Sequence, residues 1–423
     1  MMESMVRQIP DNVNTRSIGF ILGLTALFLN RSGIMFGVNL SAADFFCLLG
    51  IIILVLTKKL IISKVSLLYF MALTNHALLV SFFYVPAAFA FFPQPSSVMI
   101  NYIKLLVCFC YYVLGYNTGL LNCDGMIIKS YSYAALFIGI LGAWAAVTNL
   151  QPLSSILMYE GVRLTGLMND PNYFSLIQAS ALVYFSRSED VKGLLRLGIC
   201  IFIVLAVLAS GSKTGLITIM AYMLLRLAET FLKSRMRTGF LIRVILFSVI
   251  IAAFGMLSIP SQIFYYLSDR LPAFNRLTII FTDFRGAVSG MGSGRDITWI
   301  VAVGLIKLSP ITGIGLGTYS GLAEAFFKTD MIAHNTYLQL YAEWGMLFAT
   351  LLYVYIFYIT GRGIFLRSSK GNARLLADIL IVFLIGSLGI SLNNARMFWF
   401  FFGILSAILK ANMRHCFKEN ADV

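Results

Sequence analysis

An all-α, polytopic membrane fold is what this sequence predicts, and three observations predict it. Of its 423 residues, 59% are hydrophobic and only 12% charged, against about a half and a quarter in soluble domains. Apolar runs of about 20 residues, enough for a helix to cross a hydrocarbon core of ~30 Å, recur from end to end. The short alternating segments of a membrane β-barrel do not dominate. Lys and Arg also alternate from loop to loop, as the positive-inside bias requires.

About twelve spans follow. They lie near 17–37, 41–57, 65–92, 98–121, 131–149, 168–186, 193–209, 212–232, 240–258, 336–360, 374–391 and 393–412. The second is short and the third long, which predicts a tilt or a break there. The first run, starting near Ser17, lacks the small-residue cleavage site of a signal peptide. With the N-terminus inside, the inner loops collect Lys58, Lys59 and Lys64, then Arg187 and Lys192, then Lys233, Arg235 and Arg237, then Arg362, Arg367, Lys370 and Arg374. Both termini are then cytoplasmic, and the net charge of +14 reflects topology rather than a nucleic-acid partner. The six cysteines, Cys47, Cys108, Cys110, Cys123, Cys200 and Cys416, form no CxxC pair, so neither a disulfide framework nor a zinc site is supported.

Three regions result: helices one to nine over 1–258, one long outer loop over 259–335, and three helices with a cytoplasmic tail over 336–423. The loop is too long and too polar for a turn, and such loops are usually functional or disordered. Within it, Asp296–Pro310 has helical spacing but only about a dozen residues, which suits a helix lying on the membrane surface. The glycines of 286–295 and 311–321 permit tight turns and close backbone approach to a ligand.

Four outer features carry candidate chemistry. In YEGVRLTGLMNDPNYFS (159–175), Arg163 precedes Asp170, Pro171 and Asn172, which open the sixth span. A helix cap beside an interfacial arginine is the competing account. In ASGSKTG (209–215), Lys213 departs from the charge trend; it is either a snorkelling lysine or an anion contact aided by the amino end of span eight. The motif lacks the upstream glycine and strand of a P-loop. In MGSGRDITW (291–299), Arg295 offers a fork able to grip a phosphate. In MIAHNTYLQLYAEWG (331–345), His334 stands at the entrance to span ten. A lone histidine at a helix start is more often structural than catalytic, and His76 and His415 are read that way. His334 shares the outer loop with Arg295, and a neutral imidazole accepts a proton at ambient pH. Glu343, deeper in the same span, and Lys104 in span four are intramembrane charges and so functional candidates; Arg226 is a weaker one. Two or three cations and one base suit a lipid-linked diphosphate donor and a hydroxyl acceptor. No acidic metal cluster appears in the outer loops, so a metal-independent route is expected.

The order RLTGLMNDPNYFS, SGSKTG, GSGRDITW, SPITGIGLGTYS and AHNTYLQLYAEWG, over residues 160–350, resembles the O-antigen ligase and polymerase superfamily of bacterial envelope proteins. The resemblance implies a GT-C-like fold. It also implies transfer of glycans from undecaprenyl diphosphate at the periplasmic face of the inner membrane, with inversion and without metal or cofactor. It maps diphosphate-binding arginines onto Arg163 and Arg295 and the catalytic histidine onto His334. Lys213 stands where relatives often carry arginine, so a point charge replaces a fork. Asp170, Asn172, Asn335 and Glu343 are the expected supporting residues.

The NDPNYFS phrase and the aromatic content favour a Wzy-type polymerase. A ligase acting on lipid A core is the alternative, and a transporter of lipid-linked oligosaccharide the second. Transporters often show repeated halves, and none is visible here. The expected partners are an undecaprenyl-diphosphate-linked oligosaccharide, membrane lipids and, as a candidate, a chain-length regulator. Tyr265, Tyr266, Trp299 and Tyr319 are available to stack on sugars.

Overall fold

A computed structural model describes residues 13–419 except 33, 36–37, 234–271, 284–285, 287–293 and 366–371. Predicted span nine, Tyr265 and Tyr266 lie outside the described residues, as do the side chains of Cys416 and His415. The described chain is a helical bundle. Its helices are α1 (Val13–Phe28), α2 (Ala42–Leu56), α3 (Lys64–Phe89), α4 (Pro95–Leu120), α5 (Asp124–Thr148), α6 (Pro171–Arg187), α7 (Gly193–Ala209), α8 (Lys213–Lys233), α9 (Asn275–Thr282), α10 (Arg295–Leu308), α11 (Tyr319–Phe327), α12 (Thr336–Phe365), α13 (Ala373–Gly386) and α14 (Arg396–Glu419). Two small antiparallel hairpins are the described sheet: β1 (Ile34–Met35) with β2 (Val38–Asn39), and β3 (Met158–Tyr159) with β4 (Arg163–Leu164).

Among the described residues, α3, α4, α5 and α12 are long and apolar enough to cross a membrane. The chain from Ser17 to Phe28, α2 and α7 are shorter apolar helices. Helices α6, α8, α13 and α14 stand where further spans are predicted. The break expected in the third span is a single π turn at Val80–Tyr84 within α3.

Small residues let the central pair, α4 and α14, cross closely. A Cβ on Gly115 would lie 2.1 Å from the Phe400 carbonyl oxygen, and one on Gly403 would lie 2.2 Å from that of Tyr112. Phe400, Phe401 and Phe402 are buried around this crossing. Asp44 of α2 pairs with Arg396 of α14 and accepts from the Tyr111 hydroxyl of α4 at 2.9 Å, so three helices share one ion pair.

Hydrogen bonds define the bundle's two ends. At one end the 149–170, 209–213 and 386–396 connections meet the start of α12. There Arg163 donates to the Ser210 carbonyl, Tyr173 to that of Ser391, and the Thr336 amide to Ser387. At the other end, Arg187 pairs with Asp378, Arg374 pairs with Glu229 and Asp378, and Asn372 donates to Asp124. This second cluster joins the C-termini of α6 and α8 to the N-termini of α13 and α5. Arg226 belongs to it through Glu229, which gives that residue a structural role.

The glycine-rich stretch after α10 departs from expectation. It approaches protein rather than open space. Gly345 breaks α12 at φ 72° and ψ 173°, which strands helix carbonyls that must find donors. Ala342 and Glu343 accept from the amides of Ile314 and Gly315 at 2.9 Å, and Met346 donates to Pro310. The same stretch is held from α3, where Ser81 binds both the amide and the carbonyl of Leu316. His76 contacts the Thr312 carbonyl at 2.9 Å and packs on Phe348, in keeping with its structural reading.

Candidate active site

The predicted site residues come from separate elements and meet at the first end. Arg163 is carried by β4, whose hairpin with β3 aims it at the turn between α7 and α8. Its Nε donates to the Ser210 carbonyl at 2.9 Å. That turn is shaped by Gly211 at φ +58°, where a Cβ would lie 2.9 Å from the Ala273 carbonyl oxygen. Lys213 is the first residue of α8 and is buried. The opening of α8 carries its own cap, since the Ser212 hydroxyl accepts from the Gly215 amide at 3.0 Å. Ser212 also donates to the Asn172 side chain at 2.8 Å and accepts from Ser175 at 2.9 Å. Asn172 therefore ties α6 to the Lys213 turn.

Arg295 opens α10 after Gly294, which adopts φ +67°. Its Nη1 donates to the Thr214 hydroxyl at 2.8 Å, next to Lys213. Gly389 packs against the same pair, since a Cβ there would lie 2.8 Å from the Thr214 hydroxyl and 3.4 Å from that nitrogen. Helix α10 is thus seated against the bundle through its first residue.

His334 is half-buried and adopts φ +48°, a left-handed conformation uncommon for residues other than glycine. The flanking residues enforce it. Ala333 accepts from Thr298 of α10 at 3.2 Å. Asn335 caps α12 by accepting from the Leu338 amide at 3.1 Å, and donates to the Leu388 carbonyl at 3.1 Å. Thr336 donates to Ile390 at 2.7 Å and accepts from Leu392 at 2.8 Å. No described residue hydrogen-bonds the His334 ring. Glu343 lies deeper in α12 and accepts from Gln339 at 2.8 Å. Asp170 is the N-cap of α6, accepting from the Asn172 amide at 2.6 Å.

The charges act on one another. Burial comes first in lowering Arg163 to about 10, followed by the positive charge of Arg276, with Asp170 opposing. Arg163 stays protonated at neutral pH. Arg295 is lowered by burial and by Arg276, again opposed by Asp170. Lys213 feels both Arg276 and Arg295. His334 is lowered by burial and then by Arg295, against Asp170, so its ring is neutral near pH 7. Four cations, one carboxylate and one neutral imidazole thus share a single electrostatic neighbourhood. Arg276, on the exposed side of α9, is the member that sequence reasoning missed as a site residue. It stands in a polar segment with no local feature to single it out. Thr214 and Ser210, which position the arginines, were also missed.

One cavity adjoins this cluster, and a second shares wall residues with the first. The first, of about 370 Å³, is bordered by Asp170, Asn169, Arg31, Lys104, Arg396 and Gln339. Lys104, predicted as an intramembrane charge, is thereby at a polar cavity wall. The second, of about 600 Å³, shares Asn101, Ile332 and Gln339 with the first. Among the described residues, no three His, Cys, Asp or Glu are grouped as a metal site would need.

Residues 198–354 match the Wzy_C family model, described as O-antigen ligase. The match supports the O-antigen ligase/polymerase superfamily, whose Wzy_C members are glycosyltransferase-like enzymes. It takes in Lys213, Arg276, Arg295, His334 and Glu343, while Arg163 and Asp170 precede it. No curated protein matches the chain.

Proposed function

We propose that this chain is a membrane glycosyltransferase of the polymerase type. It moves a growing glycan from undecaprenyl diphosphate to the next lipid-linked repeat unit, without a metal and with inversion. The supporting observation is the convergence of Arg163, Lys213, Arg276 and Arg295 with His334 and Asp170 at one end of the bundle. The cations hold the donor diphosphate, whose leaving charge they stabilise as the anomeric C–O bond breaks. The neutral His334 ring takes the proton of the acceptor hydroxyl as that oxygen attacks the opposite face of the sugar. Asp170 then steadies the imidazolium that forms. Asn172 and Asn335 hold the two flanking helices in register. The charge pattern of the loops supports a multi-pass protein of the bacterial inner membrane with this end periplasmic.

The family description favours a second reading, a ligase that passes the glycan to lipid A core. Reconstitution of the purified chain with lipid-linked repeat units alone separates the two. Elongation in that mixture supports the polymerase; a strict requirement for lipid A core moves the assignment to the ligase. In either case His334→Ala is expected to lower turnover by about 10²-fold or more. Undiminished turnover in a folded His334→Ala protein removes the imidazole from the chemistry.

A further inference from the structure

The 600 Å³ cavity differs from the cation cluster in chemistry. Aromatic rings of Phe91 and Phe92 form part of its wall, with Gln94, Ser97 and Asn101 beside them. Tyr319 and Glu324 of α11 face them, and Gln339 and Glu343 of α12 close the inner side. No described Lys, Arg or His lines it. Amides, hydroxyls, carboxylates and ring faces are the groups that recognise sugar hydroxyls and sugar C–H faces, and they are a poor match for phosphate.

Two polar atoms here lack partners. The Tyr319 hydroxyl and the Gln339 Oε1 are buried without a hydrogen bond, although both side chains border the cavity. Tyr319 is 4% exposed and Gln339 7%. Buried polar groups normally have partners, so two orphans carried by side chains that border one cavity call for an explanation such as a bound ligand. Glycines let two parts of the wall pack closely. A Cβ on Gly321 would lie 2.3 Å from the Phe91 ring, and one on Gly317 would lie 2.7 Å from the Ser97 backbone. The cavity shares the wall residues Asn101, Ile332 and Gln339 with the one bordered by Asp170, and Ile332 lies two residues before His334.

We infer that this cavity is a saccharide subsite, selective for sugar units without negative charge, that holds the glycan beside the diphosphate site. The inference rests on the glycosyltransferase reading and extends it to substrate class. The Tyr319 hydroxyl and Gln339 amide bind sugar hydroxyls, Phe91 carries a ring face, and the exposed Glu324 carboxylate repels uronate sugars. The saccharide is either the incoming acceptor or the proximal end of the donor glycan, because both present the same chemistry.

The test uses the full chain in nanodiscs. The probe is the host's repeat-unit oligosaccharide, released from its lipid by mild acid, together with the same oligosaccharide oxidised at its primary hydroxyls to carboxylates. Wild type is expected to bind the neutral form and to reject the oxidised one. Tyr319→Phe should weaken neutral binding about tenfold, and Glu324→Gln, at an exposed position, should narrow the discrimination. Unchanged binding in both variants, or equal binding of both oligosaccharides to wild type, overturns the subsite. A kinetic arm assigns the source. With the free oligosaccharide in excess as surrogate acceptor, a higher KM in Tyr319→Phe for it marks the acceptor, and a higher KM only for the lipid-linked unit, which then acts as donor, marks the donor glycan. Arg295→Ala serves as the control for the underlying reading. It should bind the neutral probe normally while losing transfer; full transfer in that variant sinks the diphosphate assignment and leaves the sugar-binding result standing.

Discussion

His334 shows how a single side chain is prepared by its neighbours. Its positive φ is held by Thr298 on one side and by the Leu388–Leu392 segment on the other. Burial and the Arg295 charge lower its pKa, so the proton-accepting form is present at neutral pH and lost on acidification. The acid limb of the rate profile should fall below the ordinary imidazole value of about 6.5. Replacing Arg295 by Gln removes one of the two causes of that depression. The limb should then move to higher pH, visible in kcat/KM profiles even if the overall rate is low; an unmoved limb means that another group titrates. The arginines differ from Lys213 in geometry. Arg163 spends Nε on Ser210 and Arg295 spends Nη1 on Thr214, so each fork is fixed before a phosphate arrives. Arg163→Lys should therefore lose more activity than Lys213→Arg, by about tenfold. Equal tolerance of both in a glycan-ladder assay argues against a two-pronged grip at Arg163.

At the scale of elements, the informative feature is the joint between α12 and the 309–317 segment. Glycine is required at position 345 by both conformation and space, since a Cβ there would lie 2.1 Å from the Ile311 carbonyl oxygen. Gly345→Ala should cost about 2 kcal/mol or more, from the positive φ and the clash together. Gly361, further along the same helix, has nothing within 4 Å of an added Cβ. Gly361→Ala should be neutral or stabilising by up to ~1 kcal/mol, as helix propensity dictates. Thermal unfolding in detergent measures the pair, and equal melting temperatures would rule out the joint as a structural constraint. The glycines of this segment were legible as sites of close approach, but what approaches them was not. A glycine pattern reports an absent side chain and cannot say whether ligand or backbone fills the space.

Across the whole molecule, the two ends of the bundle do different work. One gathers four cations, a carboxylate and an imidazole beside a cavity. The other is a closed network in which Asp378, 1% exposed at its side chain, meets Arg187 and Arg374, while Glu229 meets Arg374 and Arg226. Removing one partner strands buried charge, so Asp378→Ala should lower stability by about 3 kcal/mol. The folded fraction should keep its rate constant for transfer. A variant as stable as wild type would show that the network is dispensable.

The sequence alone determined the helical membrane class, the approximate place of most described helices, and the separate candidates Arg163, Lys213, Arg295 and His334. These are local properties: hydropathy over about 20 residues, loop charge and helix-start chemistry all act within a few turns. Only the tertiary structure decided that these residues share one neighbourhood, that Arg276 joins them, and that Ser210 and Thr214 anchor the guanidiniums. Those bonds span 47 and 81 residues of chain. Which distant groups become neighbours depends on how all the helices pack at once, and no stretch of sequence carries that by itself.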